Sequence, residues 1–249
     1  MRRLAYMVLL LPILAWGQTT ITIASTATED TYVFSTNPTY NYGRESKFKV
    51  SPVKVALIRC DSLYTKLGSG QVVTAMGCSV YVSGATEDGT IAAYSGWKYK
   101  WVEGNGYNEE VAGATWNRWD HSNAYEWATA GVANVGDDGV MNVLDDGVAG
   151  ATNRDCKTTA LESFALAWSA TWIAIDIDTA TANTWYRGID STKTAGIALK
   201  SVSGGADYDF ASTENTTASV RPRWWVTYQA EAAPPAAGGG QNSQIIVVE

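Results

Sequence analysis

The feature that most limits what this chain can fold into is an alternation of apolar and polar residues, which recurs along its length. Phe48 and Val50 alternate with lysines, and Cys78, Val80 and Val82 share one face of a second segment. A period of two places alternate side chains on opposite faces of a strand, so each segment predicts a half-buried β-strand. No long stretch keeps the period of a helix.

Other segments repeat the pattern, and clusters of Gly, Asn, Asp and Ser separate them. They are Trp97, Tyr99 and Trp101; Ile173, Ile175 and Ile177; Gly196 to Ser201; and Trp224, Val226 and Tyr228. Many short strands joined by turns predict an all-β fold, an antiparallel, jelly-roll-like β-sandwich with long loops and at most one short helix. That helix is predicted over Thr179 to Tyr186, with Asp178 as its N-cap.

The first 17 residues have the form of a secretory signal peptide. Two arginines precede an apolar stretch, and small residues stand at the positions that a signal peptidase recognises. A membrane anchor or a buried helix is the alternative, but the stretch is shorter than the roughly 20 residues of a bilayer span and contains Pro12. We therefore expect cleavage near Gly17, secretion, and no membrane span in the mature protein.

The rest of the chain divides by composition into three parts. Residues 18–229 carry the predicted strands, residues 230–243 are an Ala-, Pro- and Gly-rich linker, and residues 244–249 form a β-prone tail.

The charge and the residue types argue against two classes of function. The net charge is −7 at pH 7, without a basic stripe, which disfavours nucleic acid as a partner. The single histidine, His121, lies in a polar segment without a nucleophile motif. Glu103, Glu109 and Glu110 lie beside aromatic residues, an arrangement with which a glycosidase could work. We expect no catalytic residues and a non-enzymatic protein.

Residues 131–150 are rich in Gly and Asp and predict a long excursion from the sheets. Four carboxylates there are candidate calcium ligands: Asp137, Asp138, Asp145 and Asp146. Calcium relieves the repulsion between crowded carboxylates because it accepts six to eight oxygen ligands in loose geometry. A hydrated acidic loop without metal is the alternative.

The chain contains 11 tryptophans, more than one core is expected to need. Five stand at patterned positions and are predicted to be core: Trp116, Trp168, Trp172, Trp185 and Trp224. Three aromatic residues lie in a predicted loop: Trp119, Tyr125 and Trp127. Because pyranose faces stack on aromatic rings, this loop is a candidate polysaccharide site, and packing beneath the loop is the alternative.

Cys60 and Cys78 lie at equal distances from the Gly-Ser-Gly turn at 68–70. A hairpin centred there would place them opposite each other, which permits a disulfide in a secreted protein. Two buried thiols are the alternative. Cys156 then lacks a predicted partner.

The order of several segments resembles a known family. "TATEDTYVFSTNPTYNYG" is followed by "ALIRCDSL", "GQVVTAMGCSVYV", "WVEG", "GATWNRWD" and "FASTENTTASVRPRWWVTY". Together they resemble the DNRLRE-domain proteins over Thr26 to Gln229. The resemblance implies a secreted or phage-associated β-sandwich module that overlaps a class of carbohydrate-binding modules.

The tail is the segment that most bears on function. Gln244, Ile245, Ile246, Val247 and Val248 are uncharged and mostly β-branched, which makes an exposed tail an aggregation hazard. The linker extends to roughly 40 Å, so the tail can reach its own sheet or a neighbouring molecule. Adding a strand to the edge of a neighbour covers the tail and can propagate into a fibre.

These patterns predict a structural subunit of an extracellular or surface assembly, a homopolymer that is joined by the tail. The alternative is a carbohydrate-binding or adhesion module that recognises polysaccharide. A phage virion surface protein is a more distant alternative.

Overall fold

The alternating segments form strands in two antiparallel sheets. The computed structural model describes residues 18–23, 28–60, 63–95, 101–120, 125–126, 160–167, 169–187, 196–205 and 207–232. Its strands are β1 (Thr19–Ile23), β2 (Thr28–Phe34), β3 (Lys47–Val50), β4 (Lys54–Cys60), β5 (Gln71–Ala85), β6 (Gly89–Ser95), β7 (Arg118–Asp120), β8 (Tyr125–Glu126), β9 (Glu162–Leu166), β10 (Thr171–Ile177), β11 (Gly196–Ser203), β12 (Tyr208–Ala211) and β13 (Arg223–Ala230). The predicted all-β antiparallel sandwich is confirmed.

The strand order shows how the chain builds each sheet. One sheet has the order β1-β13-β5-β12-β3, with β10 on the other side of β5. The other has the order β2-β4-β11-β6-β9, and β7 pairs with β8 in a separate two-stranded sheet. All pairs between the described strands are antiparallel.

The main core lies between the two sheets. The six-stranded sheet contributes Val80 and Ile175, and the five-stranded sheet contributes Ile58 and Leu199, all fully buried. The predicted faces are confirmed at Phe48 and Val50, at Cys78, Val80 and Val82, at Ile173, Ile175 and Ile177, and at Trp224 and Val226. Alternation therefore predicted which side of these strands enters the core.

A bulge lets β5 bury residues that a strict alternation would separate. The register with β13 shifts between Thr227, which pairs with Ala75, and Tyr228, which pairs with Val73. Thr74 is the extra residue, so Val73 and Met76 both face the core.

A second core covers the outer face of the five-stranded sheet. Trp101, Ala114 and Trp116 pack there against strand residues that include Val55 and Leu57. Trp101 is not in a strand, contrary to prediction, and residues 96–100 before it lie outside the described part of the chain.

Two α-helices accompany the sheets in the described residues. The predicted helix is α2 (Thr179–Arg187), and Asp178 caps it because its Oδ1 accepts the Thr181 N–H at 2.8 Å. A single helical turn that was not predicted, α1 (Leu63–Leu67), lies between β4 and β5. None of the helices in the described residues has the length and apolar character of a bilayer span.

Two glycines of β5 provide a test of how tightly the six-stranded sheet is packed. A Cβ at Gly77 would lie 2.6 Å from Cε2 of Trp225 and 2.8 Å from the Ile175 carbonyl oxygen, whereas a Cβ at Gly84 meets nothing within 4 Å. We expect Gly77→Ala to lower the free energy of unfolding by about 2 kcal/mol, because the Trp225 ring must move.

The matched variant Gly84→Ala should leave the stability unchanged or raise it by about 0.5 kcal/mol. Urea denaturation of both variants measures the difference. Equal stabilities would show that the Trp225 ring does not rest on Gly77.

Candidate functional site

Three carboxylates from distant parts of the chain meet at an open edge of the five-stranded sheet, beside its outermost strand β2. We call such an edge a border, and the outermost strand a border strand. Asp30 lies on β2, Glu103 in the segment that covers the second core, and Glu214 in the turn after β12. One oxygen from each lies within 4.8 Å of the others. We call these three residues the carboxylate cluster.

Backbone N–H groups hold two members of the cluster in place. Because β2 is a border strand, the Asp30 N–H has no strand partner on that side, and Glu103 Oε1 accepts it at 2.7 Å. The Thr213 N–H donates to Asp30 Oδ2 at 2.7 Å. Glu103 thus covers a border that would otherwise expose an unpaired donor.

Asn41 holds the segment that carries Glu103. Its side-chain amide donates to the carbonyl oxygens of Glu103 (2.7 Å) and Ala114 (2.9 Å), and its Oδ1 accepts the N–H groups of Gly43 (3.1 Å) and Gly106 (2.8 Å). Asn41 is fully buried, so each of these bonds replaces one to water. The position of Glu103 therefore depends on a side chain 62 residues earlier.

Burial and mutual repulsion shift the acidity of the cluster. Burial, and then the charge of Glu214, raise the pKa of Asp30 well above its ordinary value, although the hydrogen bonds from Thr213 act in the opposite direction. Burial raises the pKa of Glu103 to about 9, with smaller increases from the charges of Asp30, Glu214 and Glu29. At neutral pH the structure therefore favours a protonated Glu103.

The exposure of the three residues limits the chemistry that they can perform. Asp30 is 1% exposed, Glu103 is half-buried and only Glu214 is exposed. A substrate therefore cannot reach Asp30. Carboxylate oxygens are ligands of the type that calcium takes, but calcium uses six to eight of them.

The cluster was not predicted, apart from the mention of Glu103 among the glutamates of a glycosidase-like arrangement. The other two glutamates of that arrangement, Glu109 and Glu110, are exposed and lie outside the cluster.

Two of the three predicted loop aromatics are in the described part of the chain. Trp119 is on β7 and Tyr125 on β8. The two strands pair, and Asp120 lies opposite Tyr125. The backbone thus brings Trp119 and Tyr125 into one two-stranded sheet rather than an irregular loop. Trp127 lies outside the described residues, as does His121.

Other aromatic side chains, which the sequence analysis did not select as ligand-binding, lie on the outer face of the six-stranded sheet. Trp172, Tyr81 and Trp225 are each half-buried, and we call them the aromatic strip. The ring centroids of Tyr81 and Trp172 are 5.4 Å apart, and the Arg223 guanidinium lies 4.5 Å from the centre of the Trp172 ring. Trp225 rests above Gly77.

The prediction that Trp172 belongs to the core was therefore wrong. Its position alternates with Ile173 and Ile175, which are buried, so Trp172 must face outward. Trp116, Trp185 and Trp224 are buried as predicted, and Trp168 lies outside the described residues.

The predicted hairpin between Cys60 and Cys78 was also wrong. Cys60 ends β4 in the five-stranded sheet, whereas Cys78 lies on β5 in the six-stranded sheet. Both residues are buried in the main core and no disulfide joins them. Burial, and then the proximity of Cys60, raise the pKa of the Cys78 thiol, which makes that thiol unreactive.

The remaining predicted site residues lie outside the described part of the chain. They are the acidic residues Asp137, Asp138, Asp145 and Asp146, the tail residues Gln244 to Val248, and Cys156.

No protein-family model matches the chain, and no curated protein is significantly similar to it.

The carboxylate cluster predicts how stability depends on pH. Burial raises the pKa of Glu103 from its ordinary value of 4.5 to about 9, so the folded protein binds the Glu103 proton more tightly than the unfolded chain does. The stability that this proton provides is complete below about pH 4.5 and is lost as the pH rises to about 9. We therefore expect the melting temperature to fall over this interval.

Glu103→Gln should flatten that pH dependence, because the amide stays neutral and its oxygen can still accept the Asp30 N–H. The exposed Glu162→Gln on β9 is the control and should keep the slope of the wild-type protein. Thermal denaturation from pH 5 to pH 9 measures all three proteins. A Glu103→Gln variant with the wild-type slope would contradict the assignment.

Proposed function

We propose that this protein is a non-catalytic, secreted structural subunit of an extracellular or surface assembly, in which the C-terminal tail adds a strand to a neighbouring molecule. The observation that carries the proposal is that both sheets have open borders. Among the described residues, β1, β3 and β10 border one sheet and β2 and β9 border the other. Each of these strands pairs on one side only, and the free N–H and C=O groups of such strands are templates for another strand.

The point at which the chain leaves the domain supports this proposal. β13 ends at Ala230, the Glu231 N–H donates to the Gly70 carbonyl oxygen at 2.8 Å, and the Glu231 carboxylate pairs with Arg187 at 2.6 Å. The chain is thus held at the end of β13. The segment that follows has the Ala-, Pro- and Gly-rich composition of a linker and is long enough to carry the tail to another molecule.

The carboxylate cluster supports a non-catalytic role. Asp30 is buried, and Glu103 accepts the Asp30 backbone N–H at the border of β2. Both carboxylates therefore have a structural role. The predicted signal peptide, the candidate calcium loop and the resemblance to DNRLRE-domain proteins stay predictions.

Removing the tail tests the proposed assembly. We expect the mature protein from Gln18 to Glu249 to form oligomers or filaments, and the variant that ends at Ala232 to be monomeric. Ending the chain there keeps the contacts of Glu231 with Gly70 and Arg187. Size-exclusion chromatography with light scattering, together with electron microscopy, measures the difference.

A full-length variant with Ile246→Lys disrupts the tail without shortening the chain, and so separates the effect of the tail from that of chain length. It should also be monomeric because a charge opposes strand burial. Gln241→Lys in the linker should assemble normally. A monomeric full-length protein, or assembly without residues 233–249, would refute the proposed function.

Carbohydrate binding is a second candidate function, which the aromatic strip favours. Its rings lie on the outer face of the six-stranded sheet beside Arg223, and rings of this kind stack on pyranose faces. The function is compatible with assembly, because the strip and the tail are separate parts of the chain.

Affinity electrophoresis in gels that contain a soluble polysaccharide tests this second function. If a polysaccharide retards the protein, Trp172→Ala and Trp225→Ala should each weaken binding about tenfold, which corresponds to about 1.4 kcal/mol. Tyr107→Ala is the control, since Tyr107 is 57% exposed and lies off the strip. Equal retardation of all variants would exclude the strip as the binding surface.

A further inference from the structure

The borders of the two sheets differ in how well the chain protects them. Border strands in soluble proteins are usually short, charged, bulged or covered, because unprotected borders pair with other chains. Comparing the five borders by these criteria identifies the one that accepts a strand most readily.

Two borders carry recognisable protection. On β2, the Asp30 N–H already donates a hydrogen bond to the Glu103 carboxylate. β3 has only four residues, of which Lys47 and Lys49 are charged. β2 thus has one occupied backbone donor, and β3 is short and charged, so each border carries a form of protection.

Two further borders are short. β9 has five residues, and Glu162 is exposed at its start. β1 also has five residues, of which three threonines are exposed and Ile23 is buried. Both offer fewer backbone groups and less apolar surface than a longer strand.

Within the described part of the chain, the β10 border lacks these forms of protection. β10 has seven residues, and its register with β5 is regular from Thr171 opposite Val82 to Ile177 opposite Met76. The strand contains neither proline nor lysine, and Asp176 is its one charged residue. Among the described strands, β10 pairs with β5 only.

Next to β10, the same side of β5 is already covered. The Val73 N–H donates to Asn183 Oδ1 at 2.9 Å, and Asn183 Nδ2 donates to the Val73 carbonyl oxygen at 2.7 Å. Helix α2 thus occupies the backbone groups of β5 beyond the end of β10. The stretch of this border that is left for another strand is the length of β10 itself.

The core beside β10 has apolar surface that a further strand would bury. Ile173, Ile175 and Ile177 face the core from β10, whereas Leu161 and Phe164, at the adjacent border of the other sheet, are only partly buried. A strand that pairs with β10 places alternate side chains towards these residues. The β-branched tail Gln244 to Val248 has the apolar pattern that this position requires.

We propose that β10 is the acceptor border and that Gln244 to Val248 of a second copy of the chain pairs with it. This inference rests on the proposed function, since it identifies the surface that receives the tail. The chain leaves the domain beside Gly70, roughly 20 Å along β5 from Met76, where β10 ends. Helix α2 lies on β5 between these two points, which disfavours insertion of the tail into its own sheet.

Disulfide trapping between two populations tests the acceptor border. All proteins carry Cys156→Ser to remove the cysteine outside the described part of the chain. One population carries Ala174→Cys, at an exposed position of β10, and the other carries Ile245→Cys or Ile246→Cys. Two tail positions are needed because a shift of one residue moves a side chain to the other face.

After mixing and mild oxidation, we expect a covalent dimer between the Ala174→Cys protein and one of the two tail variants. Thr20→Cys, at an exposed position of β1, is the matched control border and should give none. A dimer with Thr20→Cys, or no dimer with either border, would overturn the assignment to β10. A protein with Ala174→Cys and the tail cysteine in one chain that forms only an internal disulfide would overturn insertion into a second copy.

Hydrogen exchange is a second measurement, without a substitution in β10. The amides of β10 should exchange more slowly in the assembled protein than in the variant that ends at Ala232, while those of β1 should not change. These outcomes are separate from the test of the proposed function. Removal of the tail could dissociate the assembly while β10 forms no disulfide and its amides exchange at an unchanged rate. In that case the proposed function stands and the assignment of β10 as the acceptor is wrong.

Discussion

The hydrogen bonding of β5 is the constraint on which most of this structure depends. β5 has 15 residues and pairs with β13, β10 and β12, so half of the sandwich is assembled on one strand. Its inward side chains, which include Met76, Cys78 and Val80, are fully buried, and the bulge at Thr74 keeps Val73 on the same side. The glycine at position 77 lets Trp225 rest on the opposite face. One face of β5 thus contributes to the core, and the other supports the aromatic strip.

The sequence predicted the fold where the signal is local. Alternation identified the buried faces of β3, β5, β10 and β13, and a capping residue identified the start of α2. The same alternation also indicated that Trp172 faces outward, because even and odd positions of β10 face opposite sides of the sheet. The prediction of a core position for Trp172 overlooked that this residue alternates with Ile173 and Ile175, whose side chains enter the core.

The carboxylate cluster could not be predicted, because its members come from three segments that are distant in sequence. Asp30 and Glu103 are 73 residues apart, and the Thr213 N–H that holds Asp30 is 183 residues from it. The pairing of Cys60 with Cys78 failed for a related reason. Equal spacing about a turn predicts a hairpin only if both strands join the same sheet, and here α1 leads the chain from one sheet to the other.

The place of β13 between β1 and β5 has a consequence for how the chain is made. β13 is the last strand of the domain in sequence, and β1, the first, finds its partner only in β13 among the described strands. Contacts of such high sequence separation form slowly, since the intervening chain must first be closed into a loop. During synthesis from the N-terminus, β1 therefore cannot form its pairing with β13 until nearly all of the domain has been made.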